Sequence, residues 1–482
     1  MKKLLSLLSL LALCSTSYSK TVDQNTAQTV AFNYYKAHCS LENMDGLSLV
    51  YTATSTINGA EVVDFYVFNT ITSKGFIIVS GDDNIIPVLA YSTESAFNSA
   101  FIPSDVNYWL NEYKRAISGV IEQNIIGTQE NTEKWTALIQ PYANHLAAKT
   151  TVVAVAPLTK TAWDQSTYYN TQCPYDNAAN GRTLTGCVAT AMCQVMKYWK
   201  WPDTARNVNT YLPANNGLGQ QVVNFASSVF LWDDTNMPLA VTSNKTNVTK
   251  LMYNAGVSVN MNYGVNLSGS YVLLAESPIN NCAEYAFPTY FRYKPTIKGL
   301  QKSSFTITQW NDSLYKELAA HRPFLYEGQD PTYGGHCWVC DGCDVNNNYH
   351  FNWGWSGSYN GYFAVTSITP PGYNFTSSQG ALVNIIPDTP VHTPTGMQQI
   401  AITHDLKIFP NPAKSVINVS SETEAISEIH ITDMLGHELI KNYPANNQQL
   451  ISIQVGDLAS GVYFIQLNTD KGVMSSKIII TR

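Results

Sequence analysis

The chain has 482 residues, too many for one ordinary core, so three or four folded units are expected. A formal charge of −7 and a pI of about 5.7 exclude a basic nucleic-acid-binding surface. Aromatic residues make up 12 % of the chain and charged residues only 13 %, a balance that excludes a solvated, disordered polymer.

The first stretch is a targeting segment. Lys2-Lys3 precedes an apolar run from Leu4 to Leu13, too short to span a bilayer, and Ser17-Tyr18-Ser19 offers a small-x-small cleavage site. Residues 1–19 therefore read as a secretory signal peptide, and no other stretch is apolar and long enough to be transmembrane. Beyond Cys14 and Cys39 there are seven cysteines: Cys173, Cys187, Cys193, Cys282, Cys337, Cys340 and Cys343. An odd set in an oxidising compartment leaves a free thiol or an intermolecular bond.

Residues 20–150 read as a compact α+β unit. Ala27 to Tyr35 is helical, Val62–Asn69, Gly75–Ser80 and Val88–Tyr91 are strands, and Asp105 to Glu122 is an amphipathic helix. The helix turns Val106, Trp109, Leu110, Tyr113 and Ile117 to one side. Nothing in this unit looks catalytic. Ala147 to Val153 has little periodicity and reads as an exposed, nickable linker.

The next unit, 151–387, carries the chemistry. Val188, Ala191, Met192, Val195, Met196 and Trp199 recur at helical spacing, Thr185-Gly186 stands at the start, and Trp201-Pro202 ends the run. Cys187 then lies in the first turn, where free N–H groups and the helix dipole favour a thiolate, with a pKa expected toward ~3.5–7.5. Further on, Leu314–His321 is helical and Phe324–Glu327 is a strand. His336-Cys337-Trp338-Val339-Cys340 and Tyr349-His350-Phe351-Asn352-Trp353 form a hairpin. If the hairpin centres on Asp344, His336 faces Asn352 at ~4.5–5.5 Å; a one-residue slip puts Trp353 there instead, and which of the two orients the imidazole stays open.

A cysteine at a helix start, a distant histidine on a strand and an amide near it form the layout of a cysteine acyl-transfer site. Gln165 is a suitable side-chain donor to the oxyanion, beside the Cys187 N–H. Cys337-x-x-Cys340-x-x-Cys343 has the spacing of some metal sites, but Trp338 and Val339 favour a strand, so core thiols or a disulfide are expected. No metal or cofactor is called for. His350 shares a face with Asn352 and is the one serious rival to His336. After a Pro/Thr linker at 388–402, alternating strands punctuated by turns over 403–482 indicate a small β-sandwich.

The ordered motifs Trp163-x-Gln165, Cys173-Pro174, Thr185-Gly186-Cys187-Val188-Ala189-Thr190-Ala191, Met261-x-Tyr263-Gly264, Gly335-His336 and Asn352-Trp353-Gly354-Trp355 resemble the streptopain family of papain-like cysteine peptidases. That resemblance implies an α+β, two-lobed catalytic domain with a helical lobe and an antiparallel β lobe. It implies a secreted zymogen acting as an endopeptidase on protein or peptide substrates, with a hydrophobic residue preferred two places before the cut. Cys187 would be the nucleophile and His336 the general base and acid. Gln165 would serve the oxyanion hole, Trp353 and Trp355 would shield the site, and Ser270 and Gly335 would hold substrate backbone. Gly75-Phe76-Ile77-Ile78-Val79-Ser80-Gly81-Asp82 is similar to that family's inhibitory propeptide. Ile408-Phe409-Pro410-Asn411-Pro412 and Leu458-Ala459-Ser460-Gly461-Val462-Tyr463-Phe464 resemble the sorting domain read by the type IX secretion machinery of Gram-negative bacteria. A transglutaminase-like acyltransferase and a catalytically silent secreted binding protein are the alternatives.

Overall fold

The structure is a computed structural model describing residues 21–38, 46–71, 74–140, 153–277, 279–330, 334–365, 378–388, 406–421, 426–433, 438–442, 450–469 and 472–481. The signal-peptide segment, Cys39, most of the 147–153 linker and nearly all of the 388–402 linker lie outside them. The described chain is α+β and divides into two compact units, the first spanning 1–146 with 152–392 and the second including 393–482.

One sheet of eleven strands organises the first unit. Four strands come from the N-terminal region: Leu47–Ile57, Ala60–Thr70, Phe76–Ser80 and Val88–Ser92, paired antiparallel in that order. Val88–Ser92 then pairs with Gly361–Ala364, through Tyr91↔Tyr362 and Ala90↔Phe363. Beyond it come Asn348–Asn352, Gly334–Asp344, Phe324–Asp330, Ser378–Val383 and Lys298–Gln301, while Val153–Val155 adds to Gly334–Asp344. The sequence suggests a boundary near residue 150; the sheet runs straight across it.

Both faces of the central strands are buried, as their near-continuous apolar runs require. On one face lies the helix Cys187–Trp199, sharing a core with Leu251, Met252, Phe287, Val339 and Leu382. On the other lies the N-terminal helix Ser104–Glu122, which buries Val106, Trp109, Leu110, Tyr113, Ile117 and Val120 at the predicted spacing. Trp109 meets Trp338 and Phe351 edge-on, with ring centroids at 5.6 and 5.3 Å. The N-terminal region therefore contributes to a core it shares with the central strands.

The strand Leu47–Ile57 and the helix Gln129–Ile139 were not expected from the sequence. The strand is mostly half-exposed and rich in Thr and Ser, so its alternation is weak. The helix buries only Asn131 and Trp135, and depends on Thr128, whose side chain accepts from the Asn131 N–H.

The described residues from 406 to 481 pack around Ile417, Val419, Ile429, Ile431, Ile453, Ile465, Leu467 and Ile478. A three-stranded sheet (Leu406–Phe409, Val416–Ser421, Leu450–Gln454) faces a four-stranded one (Glu438–Asn442, Ile426–Thr432, Gly461–Thr469, Gly472–Ile480). This is the expected sandwich.

Candidate active site

The Cys187 helix begins as the sequence predicts. Gly186 caps it with φ at +87°, a left-handed value that favours glycine. A Cβ there would also fall 2.6 Å from the Met261 sulfur and 3.1 Å from the Ser268 carbonyl, which explains why Met261 and Ser268 accompany the motif. Thr190 ties the turn down: its hydroxyl lies 2.8 Å from that of Thr185 and donates to the Gly186 carbonyl at 3.0 Å. Cys187 is thus held in the first turn, 9 % exposed.

The strand Gly334–Asp344 brings the candidate histidine to this helix. Cys337 and Val339 pack in the same core as Cys187, and the Cys337 N–H donates to the Cys187 thiol. His336 and Trp338 instead meet the N-terminal helix: the His336 ring centroid is 5.6 Å from that of Tyr108, and Trp338 is 6.3 Å from it.

The expected register needs correcting. Asn352 pairs with Val339 rather than His336. Asp344 is the reason: its side chain accepts from the N–H groups of Asn346 and Asn348 and from the Asn348 amide, which moves the turn past Asp344 and centres it near Asn346. A bulge between Cys340 and Gly342 then takes the pairing back by one residue, from Cys340 to Val339. Asn352 donates to the Thr161 carbonyl at 2.7 Å and the Thr159 hydroxyl at 3.3 Å. Thr161 in turn donates to Gln194 on the cysteine helix, so Asn352 anchors the segment leading to Gln165.

Gln165 is 5 % exposed, and its carbonyl accepts from the Thr185 N–H at 3.0 Å, which fixes it two residues from Cys187. Ser270 spends its hydroxyl on the carbonyls of Val259 and Asn281; only its backbone is left for a substrate. Gly335 is exposed and pairs with Gln329. Trp353 is a core residue, with its ring 4.7 Å from Trp338 and its indole N–H on the Tyr359 carbonyl. Gly354 lies against Thr190, where a Cβ would come within 2.9 Å of the Thr190 methyl. Cys337, Cys340 and Cys343 are buried free thiols, and no group of His, Cys, Asp and Glu among the described residues is arranged to hold a metal.

Two residues of the N-terminal helix belong to this site, and sequence reasoning missed both. Trp355 donates its indole N–H to Asp105 Oδ1 at 2.7 Å, while Asp105 Oδ2 is buried without a hydrogen-bond partner. Burial pushes the Asp105 carboxyl up to about 7, against the pull of Trp355 and the Val106 N–H. The depressed thiol pKa expected from the helix start does not hold here. Burial, then the Asp105 charge, push Cys187 up to about 11, over the opposing N–H of Cys337. Tyr108 covers His336 and Gly328 one turn along. No spacing motif marks these residues, because their partners lie more than two hundred positions away.

Asp105 gives the covering helix a pH dependence. An undocked carboxyl titrates near 3.8 and the docked one near 7, so docking binds a proton between those values. The contact is strongest in acid, weakens as pH rises through about 7, and is constant above that. In a Cys187→Ala chain, amide exchange of the Ser104–Glu122 helix, corrected for intrinsic rates, should accelerate between pH 4 and 7. Asp105→Asn should flatten that rise; an equally steep rise in both chains would refute the assignment.

A buried cysteine at a helix start, a histidine strand laid against it and an N-terminal helix over both form one buried cluster, and the comparisons make the chain a cysteine-type peptidase with an inhibitor domain. Comparison with known proteins gives the particular family. Residues 163–363 match the peptidase C10 family, residues 19–117 the Spi protease inhibitor, and residues 407–481 the secretion system C-terminal sorting domain. The chain is 28 % identical over 386 residues to the thiol protease/hemagglutinin PrtT of Porphyromonas gingivalis, covering 77 % of this chain but only 42 % of that protein. It is 29 % identical over 356 residues to streptopain of Streptococcus pyogenes, covering 67 % of this chain and 81 % of streptopain. A solved fragment of Prevotella intermedia prointerpain A superposes with a TM-score of 0.54 at 26 % identity, covering 70 % of this chain and all of that one. The chain thus carries a domain of the peptidase C10 (streptopain) family, preceded by a Spi-type inhibitory propeptide domain and followed by a type IX sorting domain. That tail places it outside the cell or on the surface of a Gram-negative bacterium. No helix among the described residues is long and apolar enough to cross a membrane.

Proposed function

We propose that the chain is a latent endopeptidase whose nucleophile is Cys187 and whose general base and acid is His336, with residues 20–150 as the propeptide and 151–387 as the enzyme. The Cys187 thiolate attacks the scissile carbonyl, and the imidazolium protonates the leaving amine; water then releases the acyl group. The Cys187 N–H and the Gln165 amide stabilise the oxyanion. Asn352 holds the Gln165 segment, Trp355 walls the site, and Trp353 backs it from the core. Ser270 and Gly335 offer backbone to an extended substrate, and the family likeness carries the preference for a hydrophobic P2 residue. The propeptide is its intramolecular inhibitor, and the C-terminal domain is its handle for the secretion machinery.

The observation carrying this reading is the buried Cys187 on a positive-φ glycine cap with the His336 strand against it. Latency follows from the same site: burial and then the Asp105 charge raise the thiol, and Tyr108 engages the imidazole. Mass spectrometry after treatment with an epoxide inhibitor tests it. Label is expected on Cys187 of the matured form, with uncut chain reacting far more slowly; label on another cysteine, or equal rates, would overturn the reading.

A further inference from the structure

On the strand next to the one bearing His336, a histidine stands between two carboxylates. His350 lies on the strand Asn348–Asn352 and is 2 % exposed. Its Nδ1 is 2.6 Å from Asp341 Oδ1 and its Nε2 is 2.5 Å from Glu94 Oε1. A carboxylate oxygen stands at each ring nitrogen, an arrangement that favours the imidazolium, which donates from both. Burial opposes that charge, but Asp341 and then Glu94 outweigh it, and its pKa stands at about 9.

The two carboxylates come from different parts of the chain. Asp341 belongs to the peptidase domain and is engaged on both oxygens, its Oδ2 accepting from the N–H and hydroxyl of Thr159 at 2.7 and 2.6 Å. Glu94 belongs to the propeptide and follows directly on the strand that joins the two parts of the sheet. Its side chain is 48 % exposed, and it borders a cavity of about 1040 Å³ that Lys74, Lys160 and Tyr362 also line. Neighbouring contacts across the same boundary use uncharged donors: Tyr91 Oη gives to Asp344 at 3.1 Å, and Ser92 Oγ to the Asn360 carbonyl at 2.6 Å. Of these three contacts, Glu94–His350 is the one between opposite charges. When the propeptide leaves, Nε2 loses this acceptor while Asp341 still fixes the ring.

We infer that His350, oriented by Asp341, is a carboxylate-binding site of the peptidase domain outside its catalytic cleft, and that Glu94 of the propeptide fills it until maturation. The inference rests on the zymogen reading above. The site acts as a rear clamp: the helix Ser104–Glu122 closes the cleft, while Glu94 holds the sheet junction.

Glu94→Gln tests this cleanly, because residue 94 is absent from the matured enzyme. The full-length chain is followed from purification to full activity, at low and at high salt. At low salt, Glu94→Gln should shorten the lag about tenfold, as expected for a partly exposed charge pair. High salt should shorten the wild-type lag and leave the variant's unchanged. The final activity should be the same in both, which certifies that the variant folded. In a His350→Gln background, Glu94→Gln should add nothing. A lag of equal length in wild type and Glu94→Gln, or the same acceleration with and without His350, overturns the clamp alone. A wild-type chain active from the first time point overturns the zymogen reading, and the clamp with it.

Discussion

Cys187→Ala is expected to lower kcat/KM by at least about 10⁴, because a nucleophile removed from a covalent mechanism leaves only the binding and oxyanion terms. The loss should be chemical rather than structural. Cys187 is buried, but Gly186, Thr185 and Thr190 hold the helix start through contacts that do not involve its sulfur. Cys187→Ser, nearly isosteric, should be as inactive as the alanine variant, with thermal unfolding within a few degrees of wild type. His336→Ala should fall by a similar factor, and the double variant little further, as residues acting as a unit do. Measurable turnover by Cys187→Ser at a tenth of wild type would end the assignment. The same variants should accumulate as full-length chain if maturation is self-catalysed.

Tyr108→Ala is expected to abolish latency. The Tyr108 ring is 2 % exposed, lies against His336 and Trp338, and fits over Gly328 so closely that an added Cβ there would sit 2.2 Å from it. Truncating a buried aromatic costs about 3–5 kcal/mol. That loss falls on the docked propeptide and not on the matured enzyme, which lacks residue 108. Even half of it would shift the balance between covered and open cleft by ten- to a hundredfold. The full-length variant should therefore hydrolyse substrate without a lag, and its matured form should match wild type in kcat/KM. Gly328→Ala, which crowds the ring from the opposite side, should shorten the lag in the same direction. An unchanged lag in Tyr108→Ala with an intact folded chain would refute this account of how the cleft is closed.

The helix carrying Cys187 and the strand carrying His336 were legible because they lie in local patterns. The 3,4 spacing of Val188, Ala191, Met192 and Val195 placed the helix, and the glycine before Cys187 placed its cap. Period-two alternation gave the C-terminal sandwich, and short apolar runs bounded by turn residues gave three of the four propeptide strands. Other features depend on long-range geometry. The Val339↔Asn352 register hinges on a side-chain-capped turn at Asp344 and a bulge at Asp341, neither of which hydrophobic alternation encodes. The thiol at Cys187 is raised by burial and then by the charge of Asp105, eighty-two positions upstream and on a different element. The fusion of propeptide and enzyme into one sheet was hidden because Val88–Ser92 and Gly361–Ala364 each read as ordinary strands, with nothing to say they were neighbours.

That fusion has a consequence for the liberated enzyme. Departure of the first four strands strips Gly361–Ala364 of the partner along its outer side and bares the amides and carbonyls that now bond to Tyr91 and Ala90. A freshly released molecule thus carries a raw border, a template onto which another extended polypeptide can zip. At four residues this border is short, a length that blunts its appetite for aggregation.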